Sequence, residues 1–136
     1  MKICIIGSSG HTDYVIDGVK IDKDCRIVGL APGTAKENIA ELAGKIKLIG
    51  QKPQFFEDYR KMMDDLKPDI VAVASEFYQQ ASITIEALKR GINVFVKKPV
   101  ATTMKKLEAV KTVYNNSNVY LTTMFGIRYT PWFMTA

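Results

Sequence analysis

The stretch Gly7-Ser8-Ser9-Gly10-His11-Thr12 has the residue types of a turn that binds an anion through its backbone. It follows four apolar residues, Ile3-Cys4-Ile5-Ile6, and leads into a segment of helical period. A helix that starts there leaves its first N–H groups unpaired and points a positive dipole end at whatever lies before it. A diphosphate is the natural occupant. Gly7 permits the tight turn, Ser9 stands where the second glycine of G-x-G-x-x-G lets the chain approach the phosphates, and Thr12 replaces the third. Taken alone, the loop also fits an ordinary helix cap. Its place at the head of an alternating strand and helix pattern favours the anion.

That pattern runs along the whole chain: short apolar runs alternate with helical segments, the mark of βαβ units and a mainly parallel sheet. Strands are predicted at residues 2–6, 26–31, 54–56, 70–75, 93–96 and 118–123, and helices at 11–19, 35–43, 58–66, 79–89 and 102–114. Gly18, Gly44, Pro68 and Gly91 are the predicted helix stops, and residues 45–53 form a loose connection. Apolar stripes such as Tyr59, Met62, Met63 and Leu66 are core, not ligand contacts.

The expected fold class is therefore α/β, a doubly wound and mainly parallel sheet of Rossmann type, in three layers and one domain. Its crevice opens where the strand order reverses, so the loops after Ile6 and Ser75 face one ligand. The tip of the second strand reads Ala31-Pro32-Gly33-Thr34, without the carboxylate that accepts from a ribose 2′-OH or repels a 2′-phosphate. With Lys36 nearby, NADP is as good a candidate as NAD, although Lys36 also fits a solvated helix position.

A chain of 136 residues that is 47% hydrophobic and 24% charged has the balance of one compact domain. No apolar run approaches the roughly 18 residues of a membrane span, and Met1-Lys2-Ile3-Cys4 enters a strand directly instead of a signal peptide. A soluble, cytoplasmic protein is expected. Cys4 and Cys25 adjoin apolar runs as buried free thiols do, and no metal site is expected. The net charge of +5 is spread over several elements, which argues for a solvated surface and against nucleic acid or membrane as partners.

The most specific stretch is Ala87-Leu88-Lys89-Arg90-Gly91-Ile92-Asn93-Val94-Phe95-Val96-Lys97-Lys98-Pro99-Val100-Ala101. It resembles the helix, strand and Glu-Lys-Pro turn of the glucose-fructose oxidoreductase/inositol dehydrogenase family, Gfo/Idh/MocA. The likeness extends upstream through Lys67-Pro68-Asp69-Ile70-Val71-Ala72-Val73-Ala74-Ser75 and downstream to Gly126-Ile127-Arg128-Tyr129-Thr130-Pro131. The resemblance implies a domain over residues 1–124 that binds NAD or NADP, and a small hydroxy or carbonyl substrate, usually a sugar or polyol. Cofactor contacts are then expected from Gly7, Ser8, Ser9, Gly10, His11, Thr12, Ala31, Ser75, Glu76, Tyr78, Lys98 and Pro99.

Lys98 matches the family's turn lysine, beside the nicotinamide ribose and the substrate, and is the catalytic candidate. An ammonium at a strand's carboxyl end can donate to a ribose hydroxyl and polarise the reacting oxygen; two surface lysines before a turn proline are the plainer alternative. Lys97 departs from the family's glutamate. Glu76, Tyr78 and Gln80 occupy a predicted loop where members often show Pro, Asn and paired His, which marks a divergent member. His11 is read as a cofactor neighbour and not as the base. Gly7 and Gly10 also fit a GxxG phosphate turn of another reductase class, against which the Lys97-Lys98-Pro99 turn speaks.

In the family, the general acid/base lies in a C-terminal α+β domain. Residues 125–136 are expected to begin the connection to such a domain, which the sequence does not contain, and Trp132-Phe133-Met134 reads as an interface, cut open or reused in a homo-oligomer. The main expectation is the cofactor half of an oxidoreductase moving hydride between nicotinamide and a carbinol carbon, with little turnover by this chain alone. The alternative is a non-catalytic NAD(P)-binding sensor or regulatory module that keeps the fold without the chemistry.

Overall fold

The computed structural model describes residues 1–126 and 134. The apolar runs form β1 (Lys2–Ile6), β2 (Arg26–Ala31), β3 (Gln54–Phe55), β4 (Ile70–Val73), β5 (Asn93–Lys97) and β6 (Leu121–Met124). They pair in the order β3-β2-β1-β4-β5-β6, and every pairing is parallel. Central strands of such a sheet are covered on both faces, which is why β1 reads as an unbroken apolar run.

The connections supply α1 (Asp13–Ile21), α2 (Ala40–Leu48), α3 (Tyr59–Leu66), α4 (Phe77–Lys89) and α5 (Met104–Asn115). Val15, Ile16 and Val19 of α1 and Leu42 and Ile46 of α2 pack with Ile3, Ile5, Ile27 and Leu30 on one face. Met62 and Met63 of α3, Ile83 and Leu88 of α4 and Val110 of α5 pack with Cys4, Ile6, Val71, Val94 and Val96 on the other. Alternate residues of β1 thus serve opposite layers, as a pleated strand requires. The result is the three-layer, doubly wound sheet that the alternation predicts.

Helix boundaries differ from expectation at two glycines. Gly18 and Gly44 sit inside α1 and α2 and not at their ends, and α2 begins at Ala40 instead of residue 35. A mid-helix glycine costs about 1 kcal/mol relative to alanine, which the burial of Val19 and Ile46 beyond them outweighs. Residues 35–39 stay in the loop, where Asn38 Oδ1 accepts from Ala40 N at 2.9 Å in a local turn ahead of α2. The stops at Pro68 and Gly91 hold: Lys67 caps α3 in the left-handed region, and Gly91 follows the cap of α4 at φ 69°.

Both cysteines are buried free thiols. Desolvation pushes the Cys4 thiol up to about 12, with Lys2 acting weakly against the shift. Among the described residues no cluster of His, Cys, Asp and Glu is placed to hold a metal, and no helix is long and apolar enough to cross a membrane. Pro131, Trp132 and Phe133 of the expected terminal interface lie outside the described residues, while Met134 is exposed.

Two outcomes follow from this packing. Ile83 is fully buried, so Ile83→Ala should lower unfolding free energy in urea by about 2–5 kcal/mol. Cys4 ionises near 9.0 when unfolded but near 12 in the fold, so its contribution is complete below pH 9.0 and is lost as pH rises toward about 12. A Cys4→Ala chain should lack that part of the alkaline decline in urea midpoint.

Candidate functional site

The turn after β1 and the end of β4 meet at the point where the strand order reverses. Gly7 adopts φ +82°, and a Cβ there would stand 2.6 Å from Ser75 Cα and 2.7 Å from Ala74 O, so only glycine fits. Gly7 N donates to Ala31 O at 2.9 Å and Ser9 N to Ala74 O at 2.6 Å, tying the loop to β2 on one side and β4 on the other. Gly10 (φ 72°) and His11 (φ 60°) then turn the chain into α1 through two left-handed residues. For His11 that conformation costs roughly 1–2 kcal/mol.

His11 therefore precedes α1 and does not open it, although the helix is predicted from residue 11. The amides of Gly7, Ser9 and Gly10 are engaged within the protein, whereas those of His11, Thr12 and Asp13 meet no acceptor among the described residues. Those three N–H groups stand at the positive end of α1 and are donors available to an anion. Thr12 is the N-cap residue, buried, and its side chain makes no cap hydrogen bond.

Lys97, which the sequence treats only as a departure, is the buried ammonium of the crevice. It is 5% exposed, donates to Ser9 O and, at 2.8 Å, to Ser9 Oγ, and lies 4.5 Å over the Phe77 ring. Desolvation holds this ammonium below its ordinary value; the Glu37 carboxylate opposes that shift and Lys98 adds to it. Lys98 is exposed, and so is Pro99. Their peptide bond is cis, and the buried Gln80 donates from Nε2 to Pro99 O at 2.8 Å, fastening the turn to α4.

Strand alternation carried the signal for Lys97. Val94 and Val96 face the layer of α4 and α5, Phe95 faces that of α1 and α2, and residue 97 shares the side of Phe95. That is the side on which the turn into α1 sits.

A second residue the sequence missed is Glu37. Its Oε2 accepts from Gly33 N at 2.6 Å, Thr34 N at 3.1 Å and Ser75 Oγ at 3.0 Å, and Ser8 Oγ donates to Asn38 O at 2.9 Å. The loop after β2 therefore lies across the crevice. A Cβ on Gly33 would stand 2.1 Å from Ser75 Oγ, so a glycine is again what lets the chains close up. The tip of β2 itself carries no carboxylate, as the sequence predicts; the Glu37 side chain folds back onto the Gly33 and Thr34 amides from further along the loop, while Lys36 is exposed.

Glu76 and Tyr78 are also placed differently from the predicted loop. Glu76 is the N-cap residue of α4, and Tyr78 and Gln80 belong to its first turns. The Tyr78 hydroxyl is pushed up by desolvation and then by Glu76.

The residues present fit a dinucleotide. The open amides of His11, Thr12 and Asp13 at the start of α1, on a turn that only glycine lets lie against Ser75, offer a seat for the diphosphate. A cavity of about 660 Å³ lies elsewhere, against Ile3, Val15, Val19, Ile70 and Phe95. Its apolar walls offer nothing to a diphosphate.

A parallel 3-2-1-4-5-6 sheet with an anion seat at its reversal defines a dinucleotide-binding Rossmann domain. Residues 1–125 match the Gfo/Idh/MocA oxidoreductase family, NAD-binding Rossmann fold, and the chain belongs to it. It is similar to an oxidoreductase structure from Thermotoga maritima, with 42% identity and a TM-score of 0.94 over 99% of this chain and 41% of that one. GenD2 from gentamicin A biosynthesis, solved in complex with NAD, shares the fold at 14% identity, with a TM-score of 0.81 over 99% of this chain and 37% of that one. Among curated proteins, glycosyl hydrolase family 109 protein 1 of Akkermansia muciniphila is 29% identical over 95% of this chain. The chain spans 28% of that relative's length.

Gly7→Ala should destabilise the fold by about 2–4 kcal/mol, from left-handed strain plus backbone overlap at Ser75, read by denaturant unfolding. Lys97→Met removes both bonds to Ser9, and hydrogen exchange at the Ser9 and Gly10 amides should quicken by about tenfold, the effect of losing a charged hydrogen bond.

Proposed function

We propose that this chain is the cofactor-binding domain of an enzyme that transfers hydride between nicotinamide and a sugar, polyol or similar hydroxy compound. The observation that carries the reading is the glycine crossing of Gly7 over Ser75, which leaves the amides of His11, Thr12 and Asp13 open at the start of α1. NAD supplies the hydride acceptor. Lys97 holds the turn in its binding shape through Ser9. Lys98, exposed at the lip of the crevice, is free to donate to the nicotinamide ribose and to the oxygen of the reacting carbon.

The hydrolase name of the Akkermansia relative supports a sugar as the substrate class. In this reading residues 1–124 bind the cofactor, residues 125–136 begin the connection to a substrate domain, and the chain alone binds cofactor with little turnover. That relative is more than three times as long as the matched segment, which leaves room for such a domain.

Isothermal titration of the chain should show saturable binding of NAD or NADH; absence of any dinucleotide binding would overturn the reading. In an enzyme that carries the substrate domain, Lys98→Ala should lower kcat by about 10²–10⁴, the usual span of a positioned proton-transfer group, with little change in cofactor affinity. A pure sensor would have no turnover to lose.

A further inference from the structure

We infer that Lys97 sets which oxidation state of the cofactor this chain holds, its buried ammonium favouring NADH, whose ring is neutral, over NAD, whose nicotinamide ring is a cation. The inference rests on the dinucleotide reading given above. It draws on a departure of this chain, a lysine where the family's turn carries glutamate. That exchange turns a negative side chain at the end of β5 into a positive one, and the fold then buries it.

The geometry holds this charge in the crevice and leaves it without an ion-pair partner. Lys97 Nζ donates to Ser9 O and Ser9 Oγ, both neutral oxygens, and lies 4.5 Å over the Phe77 ring. Among the described residues no carboxylate stands within ion-pair distance of it. At 5% exposure it has little water to screen it. Two other charges act on it, Glu37 and Lys98, and they act in opposite directions. Glu37 is tied down on the β2 side of the crevice by the amides of Gly33 and Thr34 and the hydroxyl of Ser75. Glu76, at the cap of α4, acts on the Tyr78 hydroxyl. The end of β5 thus carries the ammoniums of Lys97 and Lys98 with no carboxylate paired to either.

A dinucleotide lies across a doubly wound sheet with its adenosine half on the β2 side and its other half beyond the reversal point, over the ends of β4 and β5. The nicotinamide half therefore comes to the side that carries Lys97. An oxidised ring brings a positive charge toward a fixed ammonium, and reduction removes that repulsion. Adenine, both riboses and the diphosphate are the same in the two forms, so their contacts drop out of the comparison. A site that holds the reduced form more tightly draws the bound equilibrium toward NADH, because an equilibrium shifts only by the difference in affinity between its two states. In the enzyme proposed above, that direction is oxidation of the alcohol.

The test is a titration of the whole chain with NAD, NADH and ADP-ribose, which has the diphosphate and both riboses but no ring. The wild-type chain should bind NADH about tenfold more tightly than NAD, the scale of one charge pair near a protein surface. It should bind NAD no more tightly than ADP-ribose, a readout that does not depend on any variant folding. Lys97→Met should bring the NADH to NAD ratio toward one, and Lys97→Arg, which keeps the charge, should preserve it. Loosening of the turn at Ser9 weakens both dinucleotides alike, so a merely structural role for Lys97 would leave the ratio unmoved. A wild-type chain that binds NAD as tightly as NADH, or a ratio unchanged in Lys97→Met, would overturn the assignment while leaving the cofactor site standing. Failure of every dinucleotide to bind would remove both.

Discussion

The whole crevice depends on how closely the turn after β1 approaches the end of β4. Gly7 has no side chain, its φ is positive, and the space a Cβ would need is already filled by Ser75 Cα and Ala74 O. That approach brings Ser9 N within reach of Ala74 O and Gly7 N within reach of Ala31 O. With both flanks of the turn fixed, Gly10 and His11 have one way to lead into α1, and the open amides point from a defined place. The strain stored at His11 is held there by this framework, as strained residues at binding sites usually are.

Two departures from the family pattern turn out to be one interaction. Serine replaces the second fingerprint glycine, and lysine replaces the glutamate before Lys98; in the fold the Lys97 ammonium grips the Ser9 hydroxyl and carbonyl oxygens. Glycine at position 9 would give that ammonium one acceptor fewer, and glutamate at position 97 would face a carbonyl oxygen instead of donating to it. Desolvation disfavours the Lys97 charge, and the two Ser9 oxygens together with the Phe77 ring compensate.

The sheet was legible because its signal is local: six apolar runs separated by helical periods, with β1 beside β4 as the doubly wound order demands. Helix ends were less so, because Gly18 and Gly44 are weak breakers once a helix has a core to pack on, and a local turn at Asn38 precedes α2. At the site, Gly7 and its neighbours could be read from residue type and place. Lys97 could have been found from strand alternation, yet the adjacent Lys98 drew attention through its match to the family turn. Glu37 had no local mark, since its meaning arises only when Gly33 lies against Ser75, two residues far apart in the chain.

Lys97 and Ser9 are 88 positions apart in sequence. Contacts of such long range close late, because the intervening chain must be ordered before they reward its loss of freedom. The first strand, turn and helix can begin to form as soon as they are synthesised, but the turn acquires its third anchor only when β5 docks. During synthesis, then, the nucleotide seat is among the last parts to become rigid, and no shorter N-terminal piece ending before Lys97 carries it in finished form.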